Sequence, residues 1–298
     1  MKKFTINEFR KRFPDDDACL DKIFELRYSK HPCCPQCSQQ TTFKRIPGRR
    51  AYQCSDKDCQ YQLYPTAGTV FEKTRTRLSD WFFALYLFTS TRNGVSAKEL
   101  ERQLGTTYKT AHRMGHQIRK LMAQGGLAKL SGTIEIDEYH YGGLLKNKHK
   151  KVREEIKKTI KGQGYVHKIP VLALLQRDGG IVTAILTPQT VDGLNIKPII
   201  SKHVEKGSTI ITDGFGAYKG LDASYKHEVV QHSQDEFVRG IYHSNSVEGF
   251  FSQLSRTITG THIHVSRKYL QNYLNECSFR YVNRKQGQFM FDTILSQV

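Results

Sequence analysis

Two cysteine pairs, CPQC at Cys34 and Cys37 and CSDKDC at Cys54 and Cys59, constrain this chain more tightly than any other feature. Five of the seven cysteines fall between residues 33 and 59. Close pairs separated by a short, basic, aromatic hairpin-like stretch can wrap four thiolates tetrahedrally around one Zn²⁺, and Pro35 and Gly48 supply the turns such a ribbon needs. The alternative is two disulfides. A cytosolic chain keeps its thiols reduced, and the odd total suits a metal site with spare thiols better. Cys33 adjoins Cys34 and competes with it as a ligand; the two-residue spacing to Cys37 selects Cys34. Cys19 and Cys277 read as ordinary buried thiols.

With 298 residues, 38% of them hydrophobic, the chain can bury a sizeable core and suggests one large domain with one or two small ones. No apolar run reaches the roughly 18 residues of a membrane span, and the Met-Lys-Lys start leads into mixed, charged sequence, so the cytoplasm is the default expectation. Lysine and arginine number 46 against 28 acids, a net charge of +18. That excess favours a polyanionic partner through long-range attraction and counterion release, and nucleic acid leads. Anionic membrane is the weaker rival, because the basic residues are spread through globular sequence rather than gathered on one amphipathic helix.

Residues 78 to 124 read as helices broken at Asn93-Gly94 and near Gly105. Ser96 and Glu99 form an S-x-x-E capping box, Ala97, Leu100 and Leu104 mark a short buried face, and Gly105 opens a tight turn. The next helix should bury Ala111, Met114, Ile118 and Leu121. It should leave Tyr108, Lys109, His112 and Arg113 outward in its N-terminal half, where a recognition helix meets base edges. A plain helical hairpin with a solvated basic face is the alternative.

From Thr133 the pattern becomes α/β: TIEIDEYHYGG, YVHKIPVLALLQ and IVTAILTP joined at Asp178-Gly179-Gly180, a helix near 192 to 205, STIITDG, then HEVV. A hairpin and a helical crossover together imply a mixed sheet. The charged stretch KNKHKKVREEIKKTIKGQG is expected to be a solvated excursion able to touch DNA phosphates.

Three acids stand out against this pattern. Asp137 lies within the first strand and Asp213 at the end of an apolar one; Glu248 lies in HSNSVEGFFSQLSR, whose Val247, Phe250, Phe251 and Leu254 mark a buried helix face. Each has a plain reading: Asp213 as a turn residue, Asp137 on an exposed strand face shared with Glu135, and Asn245 with Glu248 as a helix cap. Together, a carboxylate on each of two neighbouring strands and a third on a nearby helix make the hard-oxygen cage that Mg²⁺ prefers.

Nearly the whole chain resembles the bacterial insertion-sequence transposases of the ISXO type. The matching residues are CPQC with CSDKDC, the EIDEYHYGG strand, the TDGFGAY strand end, and HSNSVEGFFSQLSR continuing into HVSRKYLQNYLNECSFRYVNR. The resemblance implies an N-terminal helix and zinc ribbon over 1–75, a helix-turn-helix over 76–128, and an RNase-H-like DDE domain with a mixed sheet and flanking helices over 129–298. It implies Asp137 and Asp213 as the first two catalytic acids and Glu248 as the third. Asn245 is the alternative third residue, since some subgroups carry an Asn in this motif. Many relatives place a Lys one heptad after the acid; here Ser255 stands there, with Arg256 adjacent as a candidate DNA contact.

The implied activity is binding of the element's terminal inverted repeats, metal-dependent strand cleavage, and transfer of the 3′-OH end to target DNA. It would use two Mg²⁺ (or Mn²⁺) ions per active site and one structural Zn²⁺. The implied partner is double-stranded DNA, engaged by a homo-oligomer at the bacterial nucleoid. The competing readings are an inactive zinc-ribbon and helix-turn-helix regulator, or an RNase-H-fold nuclease.

Overall fold

A computed structural model describes residues 4–28, 32–123, 129–159, 167–231, 238–286 and 289–298, with the side chains of 157 and 159 excepted. The chain forms two compact units, Met1–Gly125 with Asn283–Val298, and Gly126–Val282.

The first unit opens with α1 (Ile6–Arg12) and α2 (Asp16–Arg27). A three-stranded antiparallel ribbon follows, β1 (Phe43–Arg45), β2 (Tyr52–Cys54) and β3 (Gln62–Leu63), in the order β1-β2-β3. Then come α3 (Leu78–Ser90), α4 (Ala97–Leu104) and α5 (Tyr108–Leu121). The chain's last helix, Phe289–Leu295, packs into this unit: the Phe291 ring lies 5.1 Å from Phe4 and 5.6 Å from Phe13. Phe13 in turn lies 4.9 Å from Phe82 of α3. Arg77 at the N-cap of α3 makes no side-chain cap bond. Asp16 of α2 does that work, accepting from the backbone N–H groups of Leu78 (3.0 Å) and Ser79 (2.9 Å). Burial pushes the Asp16 carboxyl upward, and the Ser79 and Leu78 N–H groups outweigh it, leaving the group below its ordinary value.

The second unit is a five-stranded sheet in the order β6-β5-β4-β7-β8, built from β4 (Thr133–Tyr141), β5 (Ile169–Gln176), β6 (Ile181–Ile185), β7 (Thr209–Thr212) and β8 (Lys226–Val229). The first three strands pair antiparallel, and β4, β7 and β8 pair parallel. The charged excursion after β4 contains a helix, α6 (Lys150–Thr159), exposed over most of its length. It carries helix-forming Lys, Glu and Arg nearly all round, so exposure costs it little. Its continuation over 160–166 lies outside the described residues.

Strand alternation sends the sheet's two faces to different helices. Ile134 and Ile136 of β4 join Leu172, Leu174 and Ile210 against Ile196 and Ile200 of α7 (Gly193–His203). Across the sheet, Val171, Ala173 and Leu175 of β5 meet Val247, Phe250, Phe251 and Leu254 of α8 (Asn245–Thr257) and Leu270 and Leu274 of α9 (Arg267–Asn283). Burying each large side chain contributes about 1.5–3 kcal/mol, so α8 is held chiefly by its apolar stripe. A two-stranded hairpin, β9 (Val238–Arg239) with β10 (Tyr242–His243), leads directly into α8.

Candidate active site

The ribbon brings Cys34, Cys37, Cys54 and Cys59 together, with all four sulfur atoms within 4.8 Å of one another. Cys34 and Cys59 Sγ are 3.5 Å apart, and Cys37 and Cys54 Sγ 4.0 Å. Thiolates about 2.3 Å from a tetrahedral Zn²⁺ stand about 3.8 Å from each other, so this donor set fits the ion without rearrangement. Desolvation raises the Cys34 thiol, but the backbone N–H groups of Cys37 and Gln36 and the neighbouring sulfurs outweigh it and bring it to about 7. Cys33 is exposed and sits on a backbone bridge to Gln40, outside the cluster. Cys19 and Cys277 are buried. Burial drives the Cys19 thiol up to about 12.

Between the ribbon and the second unit, α4 and α5 form with a break at Gly105. Gly105 ends α4 in the left-handed region (φ 61°), and the Thr107 side chain caps α5. Ser96 accepts from Glu99 N at 3.0 Å, but the Glu99 carboxylate turns to Arg102 and Gln103, so the expected capping box is only half made. Ala111, Met114, Ile118 and Leu121 are buried; Tyr108, Lys109 and Arg113 are exposed, and His112 is half-buried. Lys98 lies 5.0 Å from the Tyr108 ring centroid, adding a cation to the same surface.

In the second unit, Glu135 of β4 pairs with Ile211 of β7 in parallel register. Asp137 lies two residues further along β4, and Asp213 directly follows the end of β7, so both stand beyond this last pair at the same end of the two parallel strands. By alternation Asp137 shares the face of Ala173, its partner in register, which packs with α8. The Asp213 carboxylate accepts from Phe215 N at 3.0 Å, the turn bond expected of an Asp-Gly dipeptide. Asp137 accepts from Glu138 N at 2.7 Å.

Glu138 projects toward the opposite face, where the buried Tyr218 hydroxyl donates to it at 2.5 Å. Burial pushes the Glu138 carboxyl up to about 7 against the opposing Tyr218 bond, and the charges of Asp137 and Asp213 add to the rise. At Gly214, Gly216 and Gly249 an added Cβ would meet no heavy atom within 4 Å apart from the glycine's own chain neighbours and local helix backbone.

Asn245 and Glu248 lie on the first turn of α8, and both are exposed. Neither is the cap that a plain reading of the motif makes of them. The N-cap is Ser244, whose hydroxyl donates to Glu248 Oε1 at 2.7 Å instead of capping backbone. The N-terminal N–H groups of α8 go to Glu135, which accepts from Ser246 N (2.8 Å) and Val247 N (3.0 Å). Glu135 is thus 0% exposed rather than on a solvated strand face. Among the described residues, only the four cysteines form a group of three or more metal-ligating side chains within 4.8 Å, so Asp137, Asp213 and Glu248 do not all converge within that distance. Arg256 is exposed, its Nε donating to Ser252 O.

Sequence reasoning missed the role of Glu135, and missed Arg177, Glu138 and Tyr218 altogether. No local signal marked Glu135, because an acid alternating with Ile134 and Ile136 fits a solvated strand face equally well.

Comparison with known proteins follows this division. Residues 14–62 match the transposase zinc-ribbon domain, and residues 129–282 match the ISXO2-like transposase domain. A protein of Halobacterium salinarum, described as an uncharacterized protein in transposable element ISH50, is 28% identical over 293 residues, covering 96% of this chain and 97% of its own. That relative is archaeal, so a bacterial source does not follow from the likeness. No helix among the described residues is long and apolar enough to cross a membrane. With more than half of its length matching the catalytic-domain model, the chain belongs to the ISXO2-like family of DDE transposases, metal-dependent enzymes that act on DNA.

Proposed function

We infer that this transposase binds the terminal inverted repeats of its element, cleaves the DNA at the element's ends and joins the freed 3′-OH to target DNA. Asp137, Asp213 and Glu248 would hold two Mg²⁺ or Mn²⁺ ions, with Asn245 the alternative to Glu248. The observation that carries this reading is the parallel β4–β7 pairing, with Asp137 in β4, Asp213 directly after β7, and α8, which bears Glu248, packed on the Asp137 face of the sheet. Bound cations would supply activation of water and stabilisation of the leaving oxygen. The protein's own part is positioning. The carboxylates fix where the phosphodiester lies.

Recognition of the ends falls to Tyr108, Lys109, His112 and Arg113 on α5, with Arg256 contacting DNA nearer the chemistry. We divide the chain functionally into an N-terminal helix and ribbon (1–75), an end-reading part (76–128) and a catalytic part from 129, the last helix lending its packing to the N-terminal unit. Two ends must be joined in one event, so a homo-oligomer on DNA is the working form.

A strand-transfer assay with Mg²⁺ tests this directly. Glu248→Gln keeps shape and volume, so a lost ligand should leave folding and end binding intact while activity falls to the level of Asp137→Asn and Asp213→Asn. Asn245→Ala should be weaker but measurable. Near-parental transfer by Glu248→Gln beside a dead Asn245→Ala would move the third position to Asn245.

A further inference from the structure

We propose that Glu135, braced by Arg177, is a positioning residue that sets the first turn of α8 against the strand carrying Asp137 and so presents Asn245 and Glu248 to the two aspartates. This rests on the assignment of those residues to the metal site.

The Glu135 carboxylate is fully buried, where an ionised group is tolerated only if paired and hydrogen-bonded. Four donors converge on it: Arg177 Nε at 2.7 Å, Ser246 N at 2.8 Å, Ser246 Oγ at 2.9 Å and Val247 N at 3.0 Å. They match the roughly four lone-pair sites of a carboxylate, so Glu135 has nothing left to offer a cation or a water. Its negative charge also complements the positive end of the α8 dipole. His243 Nδ1 lies 3.5 Å away.

Arg177 spends its other donors on the chain entering the helix. Nη1 donates to Ile241 O at 2.7 Å and Nη2 to His243 O at 3.0 Å, while its own backbone N–H donates to Thr133 O at 3.0 Å. The Arg177 guanidinium therefore joins the Glu135 carboxylate to the chain leading into α8, while its backbone N–H ties the residue to the start of β4. The residues Glu135 grips, Ser246 and Val247, are those between Asn245 and Glu248, and Asp137 is two residues along its own strand on the same face. Ser244, whose hydroxyl in most helices would cap the backbone, holds Glu248 instead. A cap serving only stability could have been local. This one is drawn from the strand of the first catalytic acid, which fixes the distance between strand and helix.

The test uses the full-length protein with cognate end DNA and Glu135→Gln, below the variant's melting temperature as followed by circular dichroism. Mn²⁺ binding measured by electron paramagnetic resonance should weaken about 10-fold or more, as it does when partners that orient ligands are lost. Single-turnover cleavage should fall with it and recover partly with excess Mn²⁺, while hydrogen exchange of peptide 243–250 quickens. Parental Mn²⁺ affinity and parental cleavage per folded molecule, even with a lowered melting temperature, would reduce Glu135 to a stabilising residue and overturn the proposal. Should Glu135→Gln not fold, Arg177→Lys keeps a cation beside Glu135 but cannot reach both carbonyls. It should shift Mn²⁺ affinity in the same direction, and parental affinity there overturns the proposal equally. Glu248→Gln and Asn245→Ala run in parallel keep the two claims apart. If both transfer strands at the parental rate, the metal-site assignment fails whatever Glu135 does. If Glu248→Gln is inactive and Glu135→Gln is parental, the positioning role alone fails.

Discussion

Replacing Phe291 by Ala tests whether the last helix is an integral part of the N-terminal unit. The ring is 1% exposed and lies within 6.4 Å of the rings of Phe4, Phe9, Phe13 and Phe82. Truncating such a side chain costs about 3–5 kcal/mol, transfer and cavity together. A unit of roughly 140 residues has an unfolding entropy near 0.3 kcal/mol/K, so the midpoint should fall by about 10–17 °C. The chain's single tryptophan, Trp81, is buried in the same unit 5.4 Å from Phe71, and its fluorescence therefore follows this transition alone. Phe289→Ala is the control: at 59% exposure it should cost no more than about 0.5 kcal/mol. If both variants shift the Trp81 transition equally, the last helix does not belong to this unit's core.

Purified protein should carry one zinc per chain by elemental analysis, and a Cys54→Ser, Cys59→Ser double variant should lose it; full retention would mean the ligands are wrongly assigned. Lys109→Ala and Arg113→Ala should each weaken binding to the element's end in fluorescence anisotropy, with the larger loss of sequence preference from whichever reaches a base edge. Equal discrimination by both variants and the parent across a salt series would show that α5 does not read the DNA. Burial, aided by the charges of Arg119 and His112, lowers the His116 imidazole from 6.5 to about 4, so the fold favours its neutral form. The unfolded chain then binds the extra proton, and stability should drop as pH falls from about 6.5 towards 4. Urea unfolding at pH 7 and pH 5 should show a smaller decline for His116→Gln, and an identical decline would exclude His116 as its source.

The cysteine cluster and the α4–α5 break were legible because their determinants are local. Spacing fixes the four thiols, and Gly105 and Thr107 carry the turn chemistry on their own backbone. The β5–β6 hairpin and the α7 crossover were legible for the same reason, through Asp178 at positive φ and the apolar runs on either side. Glu135 was not legible as a buried group. An acid alternating with isoleucines looks solvated until Arg177, 42 residues on, and the helix end, 111 residues on, are brought to it. The cap of α8 was misread for a related reason: Asn245 and Glu248 have the right local spacing, but the backbone donors they would serve are taken by a distant carboxylate. The helix in the charged excursion escaped notice because its charged composition reads as a solvated loop, although Val152 and Ile156 stand one helical turn apart.

The two helix ends capped from afar, α3 by Asp16 and α8 by Glu135, bear on the order in which this chain folds. Their capping bonds span 62 and 111 residues, whereas an ordinary cap spans three. In an otherwise unfolded chain, closing the longer loop costs about 3 kcal/mol more entropy than closing a local one. The first turn of α8 therefore has no reason to form before β4 is in the sheet, and mutations at Ser246 or Val247 should change the unfolding rate far more than the folding rate. The turn that bears Glu248 would be a late acquisition of the folding chain, and a partly folded molecule would hold its two aspartates without their third partner.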